Sequence, residues 1–119
     1  MTPSATYENG LWGGCTLPEW APEVVDEIVR HANPRQVVLF GSVARGLSGP
    51  DSDIDVLVVL DDQGDRPRWR HMADLRSAIR LPVPLDLLVT DVDELAAADP
   101  RSVFAAALRD GTVAYERPR

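Results

Sequence analysis

Arg35-Gln36-Val37-Val38-Leu39-Phe40-Gly41-Ser42 and, after a ten-residue spacer, Asp53-Ile54-Asp55-Val56-Leu57-Val58-Val59-Leu60 set two apolar runs on either side of a glycine-bearing turn. The first run, bounded by Asn33-Pro34 and Gly41, has the length and the β-branched and aromatic content of a buried strand over 35–40. Gly41 lacks the Cβ that would hinder a sharp turn, and Ser42 is suited to cap a short helical turn through Val43-Ala44-Arg45. Unpaired N–H groups and a hydroxyl then face one point, and the start of a helical turn favours phosphate through its donors and its dipole. Gly46, Gly49 and Pro50 mark the loop back to a second strand over 52–60. Side chains alternate along a strand, so Asp53 and Asp55 share a face about 7 Å apart. Carboxylates that close suppress each other's ionisation unless a cation stands between them. Hard oxygen ligands suit Mg²⁺, which keeps part of its shell for water and substrate phosphates.

A third acid belongs to the same pattern. In Leu81-Pro82-Val83-Pro84-Leu85-Asp86-Leu87-Leu88-Val89, Asp86 is the one charge in an otherwise apolar strand. Burying it without a partner would cost several kcal/mol. A strand laid beside Asp53 and Asp55 would gather three carboxylates around a metal pair.

Gly41-Ser42, the spacer, Asp53-x-Asp55 and the apolar-flanked Asp86 together resemble the nucleotidyltransferase (DNA polymerase beta-like) superfamily. The small size resembles its minimal nucleotidyltransferase (MNT) branch, and the likeness runs over roughly residues 20 to 116. The resemblance implies a single-domain α/β fold with a small mixed β-sheet flanked by helices. It also implies transfer of AMP from ATP to a hydroxyl with the help of Mg²⁺, two ions in the usual scheme. Asp53 and Asp55 would share one ion that grips the triphosphate, and Asp86 would help hold the other beside the attacking hydroxyl. Gly41 and Ser42 would cradle phosphate. Arg45 either holds a phosphate or pairs with a loop carboxylate such as Asp51. Proteins of this branch are often antitoxins of helical HEPN-type toxins and add AMP to a toxin tyrosine, so such a toxin is the implied partner. The competing reading is a non-catalytic antitoxin that neutralises by complex formation, its nucleotide site vestigial.

Composition narrows the alternatives. The 119 residues suit one domain, read as an irregular N-terminal arm over 1–17 followed by the nucleotidyltransferase domain over 18–119. A net charge of −7 excludes nucleic acid as the main partner, because phosphate backbones are held by clustered positive charge. Lysine is absent, so a lysine-dependent phosphate loop is excluded and any side-chain clamp must be arginine. The lone Cys15 allows no internal disulfide, and no signal-like or membrane-spanning segment is read, so the expectation is a cytoplasmic protein without a membrane partner. Homo- or hetero-oligomers are both compatible with it.

Along the chain, Ala21, Val24, Val25, Ile28 and Ala32 recur at helical spacing from about Pro18 or Pro22, and Asn33-Pro34 stops that helix. Tyr7, Leu11 and Trp12 are candidates to pack on the domain or on another chain. Pro67 suits the first position of a helix with Trp69, Met72, Leu75 and Ile79 on its inward stripe. Asp91 is placed to cap a short helix, Pro100 to open another through Leu108, and Gly111 to end it before a strand over 112–115. The Arg66-x-Arg68-x-Arg70 cluster is either a solvated face or an anion site, and Trp69 and Met72 either core or a base-stacking surface. His31 and His71 lack ligand spacing and read as surface or helix-end residues, and Tyr115 as a closing-strand aromatic.

Overall fold

Strand β3 (Gln36–Phe40) runs into the one-turn helix α2 (Gly41–Ala44), and the chain returns as β4 (Ile54–Leu60), antiparallel to β3 with Phe40 opposite Asp55. The computed structural model describes residues 7–8, 11–49 and 52–118. Pro50 and Asp51, named above in the loop, lie outside them, as do residues 1–6, 9 and 10.

Ahead of β3, the two-residue strands β1 (Tyr7–Glu8) and β2 (Leu11–Trp12) pair antiparallel, and helix α1 covers Leu17–Ala32. Thr16 caps α1 in a reciprocal box: its Oγ1 accepts the Glu19 N–H at 3.3 Å while Glu19 Oε1 accepts the Thr16 N–H at 3.1 Å. Asn33 ends the helix in the left-handed region at φ 45°. Trp12 is buried in the core, and its carbonyl accepts the Trp20 indole N–H at 2.7 Å.

After β4 come α3 (Arg68–Ala78), β5 (Leu85–Asp91), α4 (Val92–Ala96), α5 (Val103–Asp110) and β6 (Thr112–Glu116). The main sheet has the order β5-β4-β3-β6, with β4 and β5 parallel and the other pairs antiparallel, so it is mixed as expected. Alternation along the strands divides the core. Val37, Val56, Val58, Leu87 and Val89 pack under α1 and α3, whereas Val38, Leu57 and Val59 pack with Ala107 of α5 on the opposite face. On β6 a bulge between the partners of Val37 and Val38 lets Tyr115 join the α1 side while Val113 stays 47% exposed.

β5 starts at Leu85 and is an edge strand, as Pro82 and Pro84 at its entry lead one to expect, since neither has an N–H to give a ladder. Other boundaries differ from the sequence reading. α5 starts after Ser102, whose Oγ accepts the Ala105 N–H at 3.2 Å, rather than at Pro100. Pro67 is the N-cap of α3 rather than its first helical residue. Leu75 and Ile79 are buried as expected, but Trp69 is 64% exposed and belongs to no core stripe, since it sits in the first turn of α3 beyond the sheet's cover.

Candidate active site

The register of the parallel pair places Asp55 of β4 directly opposite Asp86 of β5. Both point to the face that carries Leu57 and Leu88, opposite the α1–α3 layer. Asp53 stands one residue ahead of β4, exposed, at the same end. Asp55 is partly buried, and its carboxyl is pushed up to about 6 by that burial, then by the charges of Asp86 and Asp53 and by a hydrogen bond that protonated Asp55 donates to the Asp86 carboxylate; Arg45 opposes the shift. The three acids therefore feel one another, and Asp55 is the centre of the group.

Gly41 explains how Asp55 fits. Its φ is +73°, and a Cβ built on it would overlap the Asp55 carboxylate, lying 2.9 Å from the carboxyl carbon. The backbone turn and the acid thus occupy one space, and a residue with a side chain would displace the carboxylate. Ser42 does not cap α2 as expected. Phe40 holds the cap position because β3 feeds straight into the turn, and Ser42 lies inside it. Its hydroxyl has no protein hydrogen-bond partner among the described residues. Arg45 closes the turn, with its backbone N–H and its Nε both donating to the Gly41 carbonyl, at 3.2 and 3.3 Å.

Asp86 sits where the sequence put it along the chain, but it is exposed, since β5 is an edge strand. Its need for a partner comes from the facing Asp55 carboxylate, not from burial. Whether these acids fit a divalent cation can be judged from their chemistry. Burial first, and then repulsion by Asp86 and Asp53, disfavour the Asp55 carboxylate, and the repulsion is what a cation between the acids relieves. Among the described residues no three His, Cys, Asp or Glu side chains form a group that could hold a metal ion by themselves, so an ion here would take the facing Asp55 and Asp86 carboxylates and complete its shell with water and phosphate. The donor set fits.

A family model for the nucleotidyltransferase domain matches residues 21–102, more than two thirds of the chain. The chain belongs to the nucleotidyltransferase domain family. Among solved structures, this nucleotidyltransferase domain is similar to a protein described as a nucleotidyltransferase from Sulfolobus solfataricus, at 25% identity and a TM-score of 0.60, covering 85% of this chain and 81% of that one. It shares its fold with a chain from a toxin–antitoxin structure with AMP-PNP, at 24% identity and a TM-score of 0.53, covering 81% of this chain and 73% of that one. No curated protein matches the sequence.

Other residues singled out in the sequence take structural roles in this nucleotidyltransferase domain. The Arg66-x-Arg68-x-Arg70 cluster is dispersed: Arg66 pairs with Asp74 at 2.8 Å, Arg68 with Glu94, and Arg70 lies over the Trp69 ring. His31 meets Glu27 one turn back, and His71 Nε2 is 2.9 Å from the Gln63 carbonyl oxygen. Both histidines border a cleft of about 520 Å³ with Leu60 and Asp62, at the far end of β4 from the acids. Phe40, read only as strand, pairs in register with Asp55 and joins the apolar cluster beneath it. Among the described residues no helix is long and apolar enough to cross a membrane.

Proposed function

We propose that this domain transfers a nucleoside monophosphate, most simply AMP from ATP, to a hydroxyl group of a protein partner. The acceptor oxygen bonds to the α-phosphorus, the bond from that phosphorus to the β-phosphate bridge breaks, pyrophosphate leaves and the hydroxyl proton passes to solvent. The observation that carries this reading is the in-register Asp55–Asp86 pair set against the Gly41–Ala44 turn. Asp53, Asp55 and Asp86 would hold Mg²⁺, two ions in the expected arrangement; when bound, the metal supplies the positive charge that offsets the triphosphate and favours ionisation of the attacking hydroxyl. The unpartnered Ser42 hydroxyl and the first N–H groups of α2 receive the β or γ phosphate, and Gly41 lets the backbone come close to it. Arg45, at the end of the same turn, adds positive charge on the phosphate side. Asp86, exposed on the edge strand, faces the side from which an acceptor arrives. No side chain is needed as a nucleophile.

The resemblance to minimal nucleotidyltransferases, and a fold shared with a chain of a toxin–antitoxin structure with AMP-PNP, support an antitoxin acting on a partner. We take that partner to be a helical HEPN-type toxin and the acceptor to be one of its tyrosines. The test is to incubate the purified protein with Mg²⁺, labelled ATP and the helical protein encoded beside it. Label should appear on the partner and fall by about 10²–10³-fold in Asp53→Ala and in Asp55→Ala. Neutralisation that survives both substitutions without any label would favour action by binding alone.

A further inference from the structure

The edge of the sheet next to Asp86 carries a second set of features that the chemistry above does not use. The Ile54 N–H donates to the Pro84 carbonyl at 3.0 Å, which fixes the backbone phase of β5: even-numbered residues pair with β4, and Leu85, Leu87 and Val89 turn their N–H and C=O groups outward. The outward Val89 carbonyl is taken by Arg68 at 2.9 Å. Among the described residues nothing takes those of Leu85 and Leu87, which flank Asp86. Beside this open stretch, Ile79, Leu81, Val83 and Leu85 line an apolar slot of about 190 Å³, and Arg76 closes one side of it.

Charge is a second feature of this place. Most arginines of this acidic chain are neutralised locally, Arg30 by Glu27, Arg35 and Arg117 by Asp61, Arg66 by Asp74, Arg68 by Glu94, Arg101 by Asp99 and Arg109 by Asp110. Among the described residues Arg45, Arg70, Arg76 and Arg80 have no ion-pair partner; Arg45 lies at the carboxylate site and Arg70 over Trp69, which leaves Arg76 in the last turn of α3 and Arg80 just beyond it, both exposed. Leu85 and Asp86 point to opposite faces, so this arginine side of β5 lies around the strand edge from the carboxylates. It is therefore poorly placed for the triphosphate those carboxylates serve.

We propose that the Leu85–Leu87 edge is the docking site for an extended, acidic segment of the protein acceptor, which adds to the sheet as a strand. Its backbone bonds to Leu85 and Leu87, an apolar or aromatic side chain fills the slot, and its acidic residues meet Arg76 and Arg80. The segment then runs past Asp86, which delivers an acceptor hydroxyl to the carboxylates. This rests on the transfer reading only for its purpose; the docking itself is measurable without nucleotide.

The probe is a synthetic eight-residue peptide that alternates Glu or Asp with Val and carries one Tyr, compared with the same peptide bearing Lys for each acid. The acidic peptide should bind at least about tenfold tighter, a preference that weakens with salt, and Arg76→Glu/Arg80→Glu should abolish it, since two exposed charge pairs together are worth roughly that much. On binding, the Leu85 and Leu87 amides should gain protection from hydrogen exchange. Equal binding of the two peptides, an affinity unchanged by the double reversal, or protection appearing on β6 instead would overturn the proposal. Such a failure would leave labelling of a partner and its dependence on Asp55 untouched, so the two readings fail separately.

Discussion

Protonated Asp55 is the form the folded chain prefers up to about pH 6, because its carboxyl is partly desolvated and, next in weight, because Asp86 and Asp53 face it. The sign of the consequence follows from proton counting. Between the ordinary carboxyl value of 3.8 and about 6 the folded state binds more protons than the unfolded one, so this group's contribution to stability falls as pH rises across that window and is flat above it. Asp55→Asn removes the charge but keeps the shape. Without divalent cation, urea unfolding should find the variant close to the parent near pH 4 and more stable than the parent above pH 6; the opposite order at pH 7 would mean that burial and the neighbouring acids do not disfavour the Asp55 carboxylate. The motif was legible at this scale: Gly41, Ser42, Asp53 and Asp55 stand together in the sequence with their spacing intact. Asp86 was legible as an odd charge in an apolar run, although the reason was proximity to Asp55 and not burial. The Ser42 cap was misjudged because whether a strand stops before a turn or feeds into it depends on the whole hairpin.

At the level of elements, the sheet is held from both faces by a clasp that no local pattern announced. Arg68 opens α3 on one face, reaches Glu94 of α4 with two bonds of 2.6 and 2.7 Å, donates to the Val89 carbonyl and stacks over Phe104 of α5 at 4.6 Å. Thr90, fully buried, donates to the same Glu94 at 2.6 Å, and Asp91 caps α4 through the Glu94 N–H at 2.8 Å. Arg68 holds the Glu94 carboxyl below its ordinary range, so this clasp is intact at neutral pH and loosens in acid as pH falls through the Glu94 value. Arg68→Ala should lower stability by about 2 kcal/mol, the scale of charge-assisted bonds in a half-buried site. A double-mutant cycle with Glu94→Gln in denaturant should return coupling between them; additive losses would show that Arg68 acts only by packing on Phe104. The sequence displayed the Asp91 cap and the helix periods, but Arg68 and Glu94 are 26 residues apart, and only the β4–β5 crossover brings them together. The Thr16–Glu19 box was present in the sequence as a Thr-x-x-Glu pattern and would have fixed the start of α1, which the prolines at 18 and 22 obscured.

For the whole molecule, hydrophobic patterning marked the separate strands and helices and the family resemblance implied a small mixed sheet, whereas strand order and the division of the core into two faces are long-range facts set by packing. Their functional result is a set of negative charges at one end of the parallel β4–β5 pair, on a chain whose net charge is −7. A triphosphate approaching those acids alone meets repulsion, so nucleotide and divalent cation should bind only together. A ligand that binds the folded state at ten times its Kd adds about 1.4 kcal/mol, which is roughly a 5 °C rise in Tm for a domain of this size. Thermal scans at pH 7.5 should therefore show a shift of that order with Mg²⁺ and a non-hydrolysable ATP analogue together, and little with either alone. The shift should shrink below pH 6, where Asp55 keeps its proton, and vanish in Asp53→Ala/Asp55→Asn. An equal rise from the analogue without any divalent cation would place the nucleotide away from the carboxylates and undo the role given to them.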